Sequence, residues 1–461
     1  MAIKKSIGVT PTERLLSDLC ESTFLKLWSY PNPFKDDGKE LCDLLVIFDH
    51  IAFIFFDREK QLNTDSGDSQ SVSWGRWKRR VIDAQIKTAH GAEKYLRSGR
   101  KIYLENTLRN ELPIKPHPSL RTIHKIIVAH GAAEACLQAS SDNMYGSLAI
   151  AYSDLDSAFA GIPFMISLDR SNPVHVLDTH NLPVVLRELD TIWDLTDYLD
   201  AKVEAINRYG ALTYCGEEDL LAHYFRNYDE ISRRHRIGPI ESHFDLVNIG
   251  EGEWKAFENS EVYINTKKAN QSSYVWDRLI QRTSGNALAG LCMGDSLFAH
   301  RSPIHEMAKE PRFTRRALTD AMMRAIDNFP EDLGELARNI SLMPSFYPEK
   351  RYLFFQLRAP AERREEESYR AKRQYMLKVA CGAAKNSFPE IKTIIGIAID
   401  APKFSNENSE DFILMDCSEW TLNQRRYYEK ANEPFQFFNS GLRKRKQKFT
   451  RFVPQPPTNL R

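Results

Sequence analysis

Two apolar runs separated by only two polar residues constrain the fold of this chain most strongly. Residues 40–48 and 51–56 are both strand-like, and only Asp49 and His50 stand between them. Runs of this length with so short a break predict a β-hairpin. Helix patterns precede and follow the hairpin, so the N-terminal elements are expected in the order α, β, β, α.

The first helix is predicted to begin at Thr10 and to run to about Trp28. Thr10 is suited to the N-cap, Pro11 to the first helical position, and Glu13 to closing a capping box. We therefore assign Glu13 to the capping box rather than to chemistry. Glu21 lies off the apolar stripe of this helix, and its position fits a solvated side chain as well as a ligand.

The second helix follows a polar loop at residues 61–73. Its apolar stripe predicts that it packs back on the hairpin. The same segment carries a basic cluster that is suited to a phosphate backbone. The stripe consists of Trp74, Trp77, Val81, Ala84 and Thr88, and the cluster of Arg76, Lys78, Arg79 and Arg80.

The acidic residues of the hairpin are the candidates for chemistry. Asp43 is embedded in the apolar run 41–47, and aspartate is depleted in strand interiors. An ionised carboxylate there needs compensation, which a divalent cation such as Mg²⁺ could provide. Asp57 and Glu59 lie two residues apart at the end of the second run, on one face of the strand. The alternatives are a structural role for Asp43 and a plain charged strand end for the other two.

Whether these acids meet depends on the register of the hairpin. With a strict two-residue turn, Asp43 would pair with Phe56 and share its face with Arg58 and Lys60. That register would surround Asp43 with basic side chains and would build no cation site.

A three-residue loop, or one β-bulge, would instead pair Asp43 with Asp57 and place Glu59 on the same face. Only this arrangement brings the carboxylates together. We therefore predict an odd loop, and a structure with Asp43 and Asp57 on opposite faces of the sheet would contradict the site.

This order of a helical acid, an aspartate at the head of a hairpin, acids at the end of its second strand and a following helix resembles the PD-(D/E)XK nuclease superfamily. The resemblance covers roughly the first hundred residues as a pattern. It implies that Glu21, Asp43 and Asp57 hold Mg²⁺ or Mn²⁺ for phosphodiester hydrolysis of DNA or RNA.

One position departs from the pattern of the superfamily. The expected lysine falls at position 59, which is Glu59 in this chain. The resemblance implies that Lys60 substitutes through a shifted backbone, or that a lysine of the following helix does so. Of the two helical candidates, we choose Lys87 over Lys78, because Lys78 belongs to the basic cluster. The absence of a lysine at position 59 would impair catalysis, but it would leave the carboxylates able to bind a metal ion.

The rest of the chain predicts an α/β protein of two domains. Residues 1–212 are expected to form a nuclease-like domain with a central mixed sheet, including strands at 123–129, 163–168 and 174–176 and a long helix at 181–208. Residues 213–461 are expected to form a largely helical α+β domain with late strands at 393–399 and 411–415.

The C-terminal domain is expected to recognise substrate, a protein partner or a second copy of the chain. Its tail at 443–451 is strongly basic, and it is as well suited to nucleic acid as to a disordered, solubilising end. The candidate residues in it are Arg443, Lys444, Arg445 and Lys446.

The composition of the chain excludes some classes of protein but does not indicate a function. The formal net charge is +1, so any basic surface must be local. The cysteines have no spacing typical of a zinc site or a disulfide framework, and no run has the length of a membrane span. We expect a cytoplasmic protein with no membrane partner.

The leading hypothesis is therefore a metal-dependent nuclease, of a kind similar to bacterial defence effectors. One alternative is a catalytically inactive protein that keeps the fold and binds nucleic acid or acts as a scaffold. Another is a nuclease subunit that a partner activates, since a similar layout occurs in subunits that pair with short Argonautes.

Overall fold

The computed structural model describes residues 3–62, 69–140, 143–153, 162–239, 245–290, 302–331, 334, 336–405, 409–439, 445–446 and 450–452. They form a mixed α/β protein of two compact units, one comprising 1–264 with 285–292 and the other 265–284 with 293–461. The boundary that we expected near residue 212 falls inside a paired strand of the first unit, so that unit extends further than the sequence indicated. Arg443 and Lys444 lie outside the described residues.

The main sheet of the first unit has five strands in the order β1-β3-β4-β6-β9 among the described residues. The first three strands are antiparallel neighbours, whereas β6 runs parallel to β4 and β9 parallel to β6. The strands are β1 (Ser29–Pro31), β3 (Leu44–Phe48), β4 (Ile51–Glu59), β6 (Thr122–His130) and β9 (His175–Asp178), and a separate small pair is β2 (Phe34–Lys35) with β5 (Ile102–Tyr103).

Helix α1 (Pro11–Phe24) packs on one face of this sheet. Its buried Phe24 ring lies 5.1 Å from the ring of Phe53 and 6.2 Å from that of Phe55, measured between centroids. Because side chains alternate along a strand, Asp57 shares the face of Phe53 and Phe55. The packing of α1 therefore places Asp57 on the side of the sheet that this helix covers.

The helix after the hairpin contains a change of register that the sequence pattern missed. Residues Gln70–Lys78 form α2, Arg79–Asp83 form a turn of π-helix, and Ala84–Arg97 form α3. A π turn inserts one extra residue and rotates all that follows. The expected stripe therefore holds for Trp74, Trp77 and Val81, which are buried, but is wrong for Ala84 and Thr88, which are exposed. In their place Ile82, Gln85 and Ala89 are buried.

The first unit also contains a second sheet in the order β13-β10-β7-β8. The long helix that we predicted at 181–208 is divided in two, and Thr191 caps the second part by accepting a hydrogen bond from the amide of Asp194. The strands are β7 (Ala149–Ser153), β8 (Met165–Leu168), β10 (Ala211–Tyr214) and β13 (Leu246–Ile249), with a small pair β11 (Tyr228–Asp229) and β12 (Arg234–His235). The helices are α4 (Ala133–Ala139), α5 (Asn181–Glu188), α6 (Ile192–Arg208), α7 (Glu217–Arg226) and α8 (Glu253–Glu258).

The second unit is built around a four-stranded sheet in the order β14-β15-β16-β17. We expected only helices before residue 385, but 337–344 and 350–358 form two strands, because the apolar run from Tyr352 to Phe355 fills the centre of this sheet. The strands are β14 (Ala337–Pro344), β15 (Lys350–Arg358), β16 (Thr393–Asp400) and β17 (Glu410–Asp416). The helices are α9 (Glu261–Asn270) and α10 (Tyr274–Leu288), each of which extends across the division between the units, with α11 (Pro303–Ala308), α12 (Arg312–Asp327), α13 (Ala361–Arg364), α14 (Tyr369–Ser387) and α15 (Leu422–Asn432).

None of the helices in the described part of the chain combines the length and the apolar character that crossing a membrane requires.

Candidate active site

The N-terminus of α1 brings one acid to the edge of the main sheet. Thr10 is the N-cap as predicted, and its hydroxyl oxygen accepts a hydrogen bond from the amide of Glu13 at 3.2 Å. The carboxylate of Glu13, however, accepts from the amide of Val9 at 2.7 Å and from the side-chain amide of Asn32 at 3.4 Å. Glu13 thus helps to hold the start of the helix and also joins a group of acids.

Asn32 connects this helix terminus to the segment before the hairpin. Its Nδ2 donates to Glu40 at 2.7 Å as well as to Glu13, so one amide group lies between two carboxylates. Its backbone amide donates to the carbonyl of Asp43 at 2.9 Å. Asn32 has φ 45°, in the left-handed region that asparagine tolerates better than most residues. The buried Asn32 therefore fixes the spacing of the acids around it.

Asp43 lies at the centre of this group, immediately before β3. Its Oδ2 accepts a hydrogen bond from the amide of Asp57 at 2.6 Å, and its Oδ1 makes no hydrogen bond within the described residues. Burial raises the pKa of the Asp43 carboxyl to about 7 against the opposing effect of the Asp57 amide, and the charges of Glu40, Glu13 and Asp57 raise it further. We call Glu13, Glu40, Asp43 and Asp57 the acid cluster.

The odd loop that we predicted for the hairpin is wrong. Phe48 pairs with Ile51, so the connection is the two-residue turn, and Asp49 takes φ 51° in it. Leu44 pairs with Phe55, and the amide of Asp43 also donates to the carbonyl of Phe55 at 3.1 Å.

Two consecutive residues, Asp43 and Leu44, therefore oppose one, which is the count that defines a β-bulge. The bulge interrupts the alternation of faces at Asp43. The carboxylate of Asp43 reaches the backbone of Asp57 without the direct pairing of these two residues that we had expected.

Asp57 is held by partners that sequence reasoning did not find. Its Oδ1 lies 2.9 Å from Nε2 of His130, and its Oδ2 accepts from the hydroxyl of Thr12. The other ring nitrogen of His130 lies 2.9 Å from the hydroxyl of Thr179. His130 is at the end of β6, paired with Glu59 of β4, so only the parallel pairing of these strands could have revealed it. Thr12, Asp57, His130 and Thr179 thus form a continuous chain of side-chain contacts, in which Asp57 and His130 are buried and Thr179 is exposed.

The remaining candidate residues of the sequence pattern lie outside these contacts. Glu21 is partly exposed and pairs with Lys26 at 3.1 Å, two turns along α1 from Glu13. Glu59 and Lys60 are exposed after Asp57. The backbone of Lys60 is anchored, since its carbonyl accepts from the indole of Trp77 at 2.6 Å.

The basic candidates are spread over the helix after the hairpin and the tail. Arg76, Arg79, Arg80 and Lys87 are exposed, and Lys78 pairs with Asp83 at 2.8 Å. Within the described residues, Lys87 makes no hydrogen bond or ion pair with the acid cluster. Arg445 and Lys446 are exposed and outside any helix or strand.

The donors of the acid cluster suit a hard divalent cation. No three histidine, cysteine or acidic side chains in the described residues converge tightly enough to hold an ion by themselves. Mg²⁺, however, commonly keeps several waters and takes only one or two protein carboxylates, with substrate phosphate completing its shell. The Oδ1 of Asp43, with Glu13 and Glu40 beside it, provides oxygen ligands of that kind. The residues present therefore fit such an ion.

A separate set of buried acids in the first unit has a largely structural explanation. Asp178 accepts hydrogen bonds from the amides of His180 and Asn181, and Asp219 accepts from that of Trp254. Glu218 accepts from the hydroxyl of Ser147, but its Oε2 has no partner in the described residues. Burial, followed by the charge of Asp178, raises the pKa of Glu218 well above its ordinary value despite the Ser147 hydrogen bond.

Glu218→Gln should therefore stabilise the protein at pH 8 more than at pH 5. With a raised folded-state pKa, Glu218 stabilises the fold fully below its ordinary pKa, and that contribution is lost as the pH rises through the raised value. The neutral amide of the variant avoids this loss. Melting temperatures of both proteins measured across this range should diverge with rising pH, and parallel curves would contradict the assignment.

Comparison of the chain with models of known protein families, with curated proteins and with solved structures found no match.

Proposed function

We propose that the first unit is a Mg²⁺- or Mn²⁺-dependent nuclease that hydrolyses phosphodiester bonds of DNA or RNA. The observation that carries the proposal is the position of Asp43, a partly buried carboxylate with three acidic neighbours; within the described residues one of its oxygens makes no hydrogen bond and it has no cationic partner. Such a group costs free energy unless a cation compensates it. The arrangement therefore favours binding of a divalent cation, which brings phosphate oxygens with it.

The order of elements supports the same proposal. Helix α1, the hairpin of β3 and β4 and the helical segment after it follow one another as the resemblance to the PD-(D/E)XK superfamily implies. Asp43 precedes the first hairpin strand and Asp57 lies near the end of the second, as in that pattern. The helical acid linked to this group, through Asn32, is Glu13, whereas Glu21 pairs with Lys26.

In this proposal the residues of the chain have separate roles. Asp43 and Asp57, with Glu13 and Glu40, would hold the cation, and Thr12 and His130 would orient Asp57. When bound, the cation would activate the attacking water and stabilise the leaving oxygen. The carboxylates need little reorganisation, because hydrogen bonds already hold most of their oxygens in place.

A non-catalytic nucleic-acid-binding protein is the second candidate. It is favoured by one observation: within the described residues, no lysine or arginine side chain donates a hydrogen bond or ion pair to the acid cluster. Lys60 and Lys87, the lysines that the resemblance implies at the site, make no such contact with it in the described residues.

Incubation of the purified full chain with single- and double-stranded DNA and RNA separates the two candidates. Each substrate is tested with Mg²⁺, with Mn²⁺ and with EDTA, and an Asp43→Asn preparation purified in parallel reports contaminating nuclease. The proposal requires cleavage that depends on the metal and is absent from the variant. Binding of nucleic acid without cleavage under any of these conditions would favour the second candidate.

His130 provides a more specific prediction for the same site. His130→Ala should lower the rate of hydrolysis by about 10–100-fold, the usual loss when a residue that orients a metal ligand is removed. His130→Gln should retain more activity, because its amide can still donate to Asp57. The metal concentration that gives half-maximal activity should rise for the alanine variant. Equal losses in both variants, or no change in metal dependence, would contradict a positioning role.

A further inference from the structure

A cavity of about 630 Å³ lies in the first unit, beside the acid cluster. It is open to solvent on one side and is lined by the segment before α1, by β2 and by residues 104–111. This volume is within the roughly 300–1,000 Å³ that is typical of small-molecule and cofactor sites. The side chains that matter for its chemistry are Lys4, Ser6, Phe34, Asn106 and Arg109.

The cavity and the acid cluster share a wall. Ser6 lines the cavity, and its hydroxyl lies 3.5 Å from Oδ1 of Asn32, whose amide nitrogen contacts Glu13 and Glu40. Phe34, two residues beyond Asn32, also lines the cavity, and its backbone pairs with that of Glu40. A ligand in the cavity would therefore lie next to the carboxylates.

Two cationic side chains that line the cavity make no ion pair within the described residues. Lys4 and Arg109 have no side-chain hydrogen bond or ion pair within the described residues. Of the acids that line it, Glu111 pairs with Lys101 and Lys115, and the carboxylate of Glu105 is held by the amides of Arg109 and Asn110. The two free cations are thus available to an anionic ligand.

The loop that carries Arg109 is held in place before any ligand binds. Oε1 of Glu105 lies 3.2 Å from the amide of Arg109, 2.9 Å from that of Asn110 and 3.0 Å from the side-chain amide of Asn110. Leu108 adopts φ 56° within this loop, a conformation that these hydrogen bonds maintain. Arg109 is therefore presented from an ordered turn.

We propose that this cavity binds one unpaired nucleotide of a single-stranded nucleic acid, next to the phosphodiester bond at the acid cluster. Phe34 is half-buried and lines the cavity with the aromatic side chain that a base would stack on, and the exposed Lys4 and Arg109 provide positive charge for the backbone. Aromatic stacking combined with cationic side chains is the general means of binding single strands. A base inside a duplex cannot reach such a cavity unless it is flipped out. The inference rests on the proposed function and names its substrate class.

Binding is tested in EDTA, so that hydrolysis does not interfere. Fluorescence anisotropy with labelled oligothymidylate, oligouridylate and a DNA duplex should show that the full chain prefers one or both single strands. Arg109→Ala and the conservative Phe34→Leu should each raise the Kd for the single strand at least about fivefold. Arg109→Ala should also reduce the slope of log K against log salt by about 0.7. The exposed Arg187 provides the control, and Arg187→Ala should leave both quantities unchanged.

The outcomes separate this inference from the proposed function. Unchanged single-strand binding in both cavity variants, or equal affinity for the duplex, would overturn the inference even if the protein cleaves nucleic acid. Weakened binding in these variants would support the cavity even if no condition gives cleavage, in which case the nuclease proposal fails alone.

Discussion

Asp43→Asn should abolish metal-dependent hydrolysis and, without metal at pH 8, raise the melting temperature of the protein. The loss of activity should be at least about 100-fold, since even outer partners of metal ligands contribute 10–100-fold. The gain in stability is expected because the variant removes a partly buried charge beside Glu13, Glu40 and Asp57. Asparagine can still accept the hydrogen bond from the amide of Asp57.

The pH dependence of this gain follows from the pKa of Asp43, which is raised to about 7 in the folded protein. The ordinary value is about 3.9, so between these values the folded state binds a proton that the unfolded state has released. The stabilisation that this proton provides is complete below pH 4 and is lost as the pH rises through 7. The melting temperatures of wild type and Asp43→Asn should therefore converge at low pH and separate above 7.

Addition of Mn²⁺ should make the melting temperature of the wild type higher than that of Asp43→Asn. A ligand that binds only the folded state stabilises it by about 2.7 kcal/mol at a hundredfold excess over its Kd. The wild type should gain stability from the metal and the variant should gain far less. Glu21→Gln is the matched control, because Glu21 pairs with Lys26 away from the cluster and its replacement should preserve both hydrolysis and the response to metal. Equal responses to Mn²⁺ in wild type and Asp43→Asn would refute the assignment of Asp43.

Lys202→Met should destabilise the first unit by about 3–5 kcal/mol, the usual result of breaking a fully buried ion pair. Nζ of Lys202 lies 2.7 Å from each carboxylate oxygen of Glu217, and both side chains are completely buried. The hydroxyls of Tyr198 and Tyr214 donate to the same carboxylate at 2.7 and 2.8 Å. Without Lys202, a buried negative charge would remain with only neutral donors.

Glu217→Gln, the substitution of the other partner, should lower the free energy of unfolding by less than Lys202→Met does. Burial already lowers the pKa of Lys202 against the attraction of Glu217, so in Glu217→Gln the unpaired lysine can lose its proton. The double variant should recover a large part of the loss seen in Lys202→Met. Urea unfolding followed by circular dichroism gives the three free energies, with the exposed Lys87→Met expected to stay within about 0.5 kcal/mol of wild type. A loss below about 1 kcal/mol in Lys202→Met would contradict the prediction.

Local patterns in the sequence were sufficient to predict the helix start, the hairpin and the following strand around the candidate site. The N-cap at Thr10, the hairpin from 44 to 59 and the strand after residue 122 are all present, because each is encoded by contiguous turn, cap or apolar signals. Asp43 and Asp57 were identified for the same reason, since a charged residue in or beside an apolar strand is visible without a structure.

The errors arose where one residue changed a register. The π turn at Arg79–Asp83 moved Ala84 and Thr88 to the surface. The hairpin has a two-residue turn instead of the odd loop, and a β-bulge, which we had named as the alternative, brings the carboxylate of Asp43 to the amide of Asp57 without pairing the two residues. The position of a π turn or of a β-bulge has no reliable signal in the sequence, because whether one extra residue fits into a helix or into a pair of strands depends on the residues that pack against it.

The sequence by itself determined which carboxylates had to be explained, Asp43 above all, since its type and its apolar neighbours are local properties. Only the tertiary structure decided which groups surround it: Glu13 instead of Glu21 from the helix, Asn32 between two acids, and His130 on Asp57. These partners come from separate segments of the chain, and strand pairing and helix docking, rather than spacing along the sequence, bring their side chains within hydrogen-bonding distance.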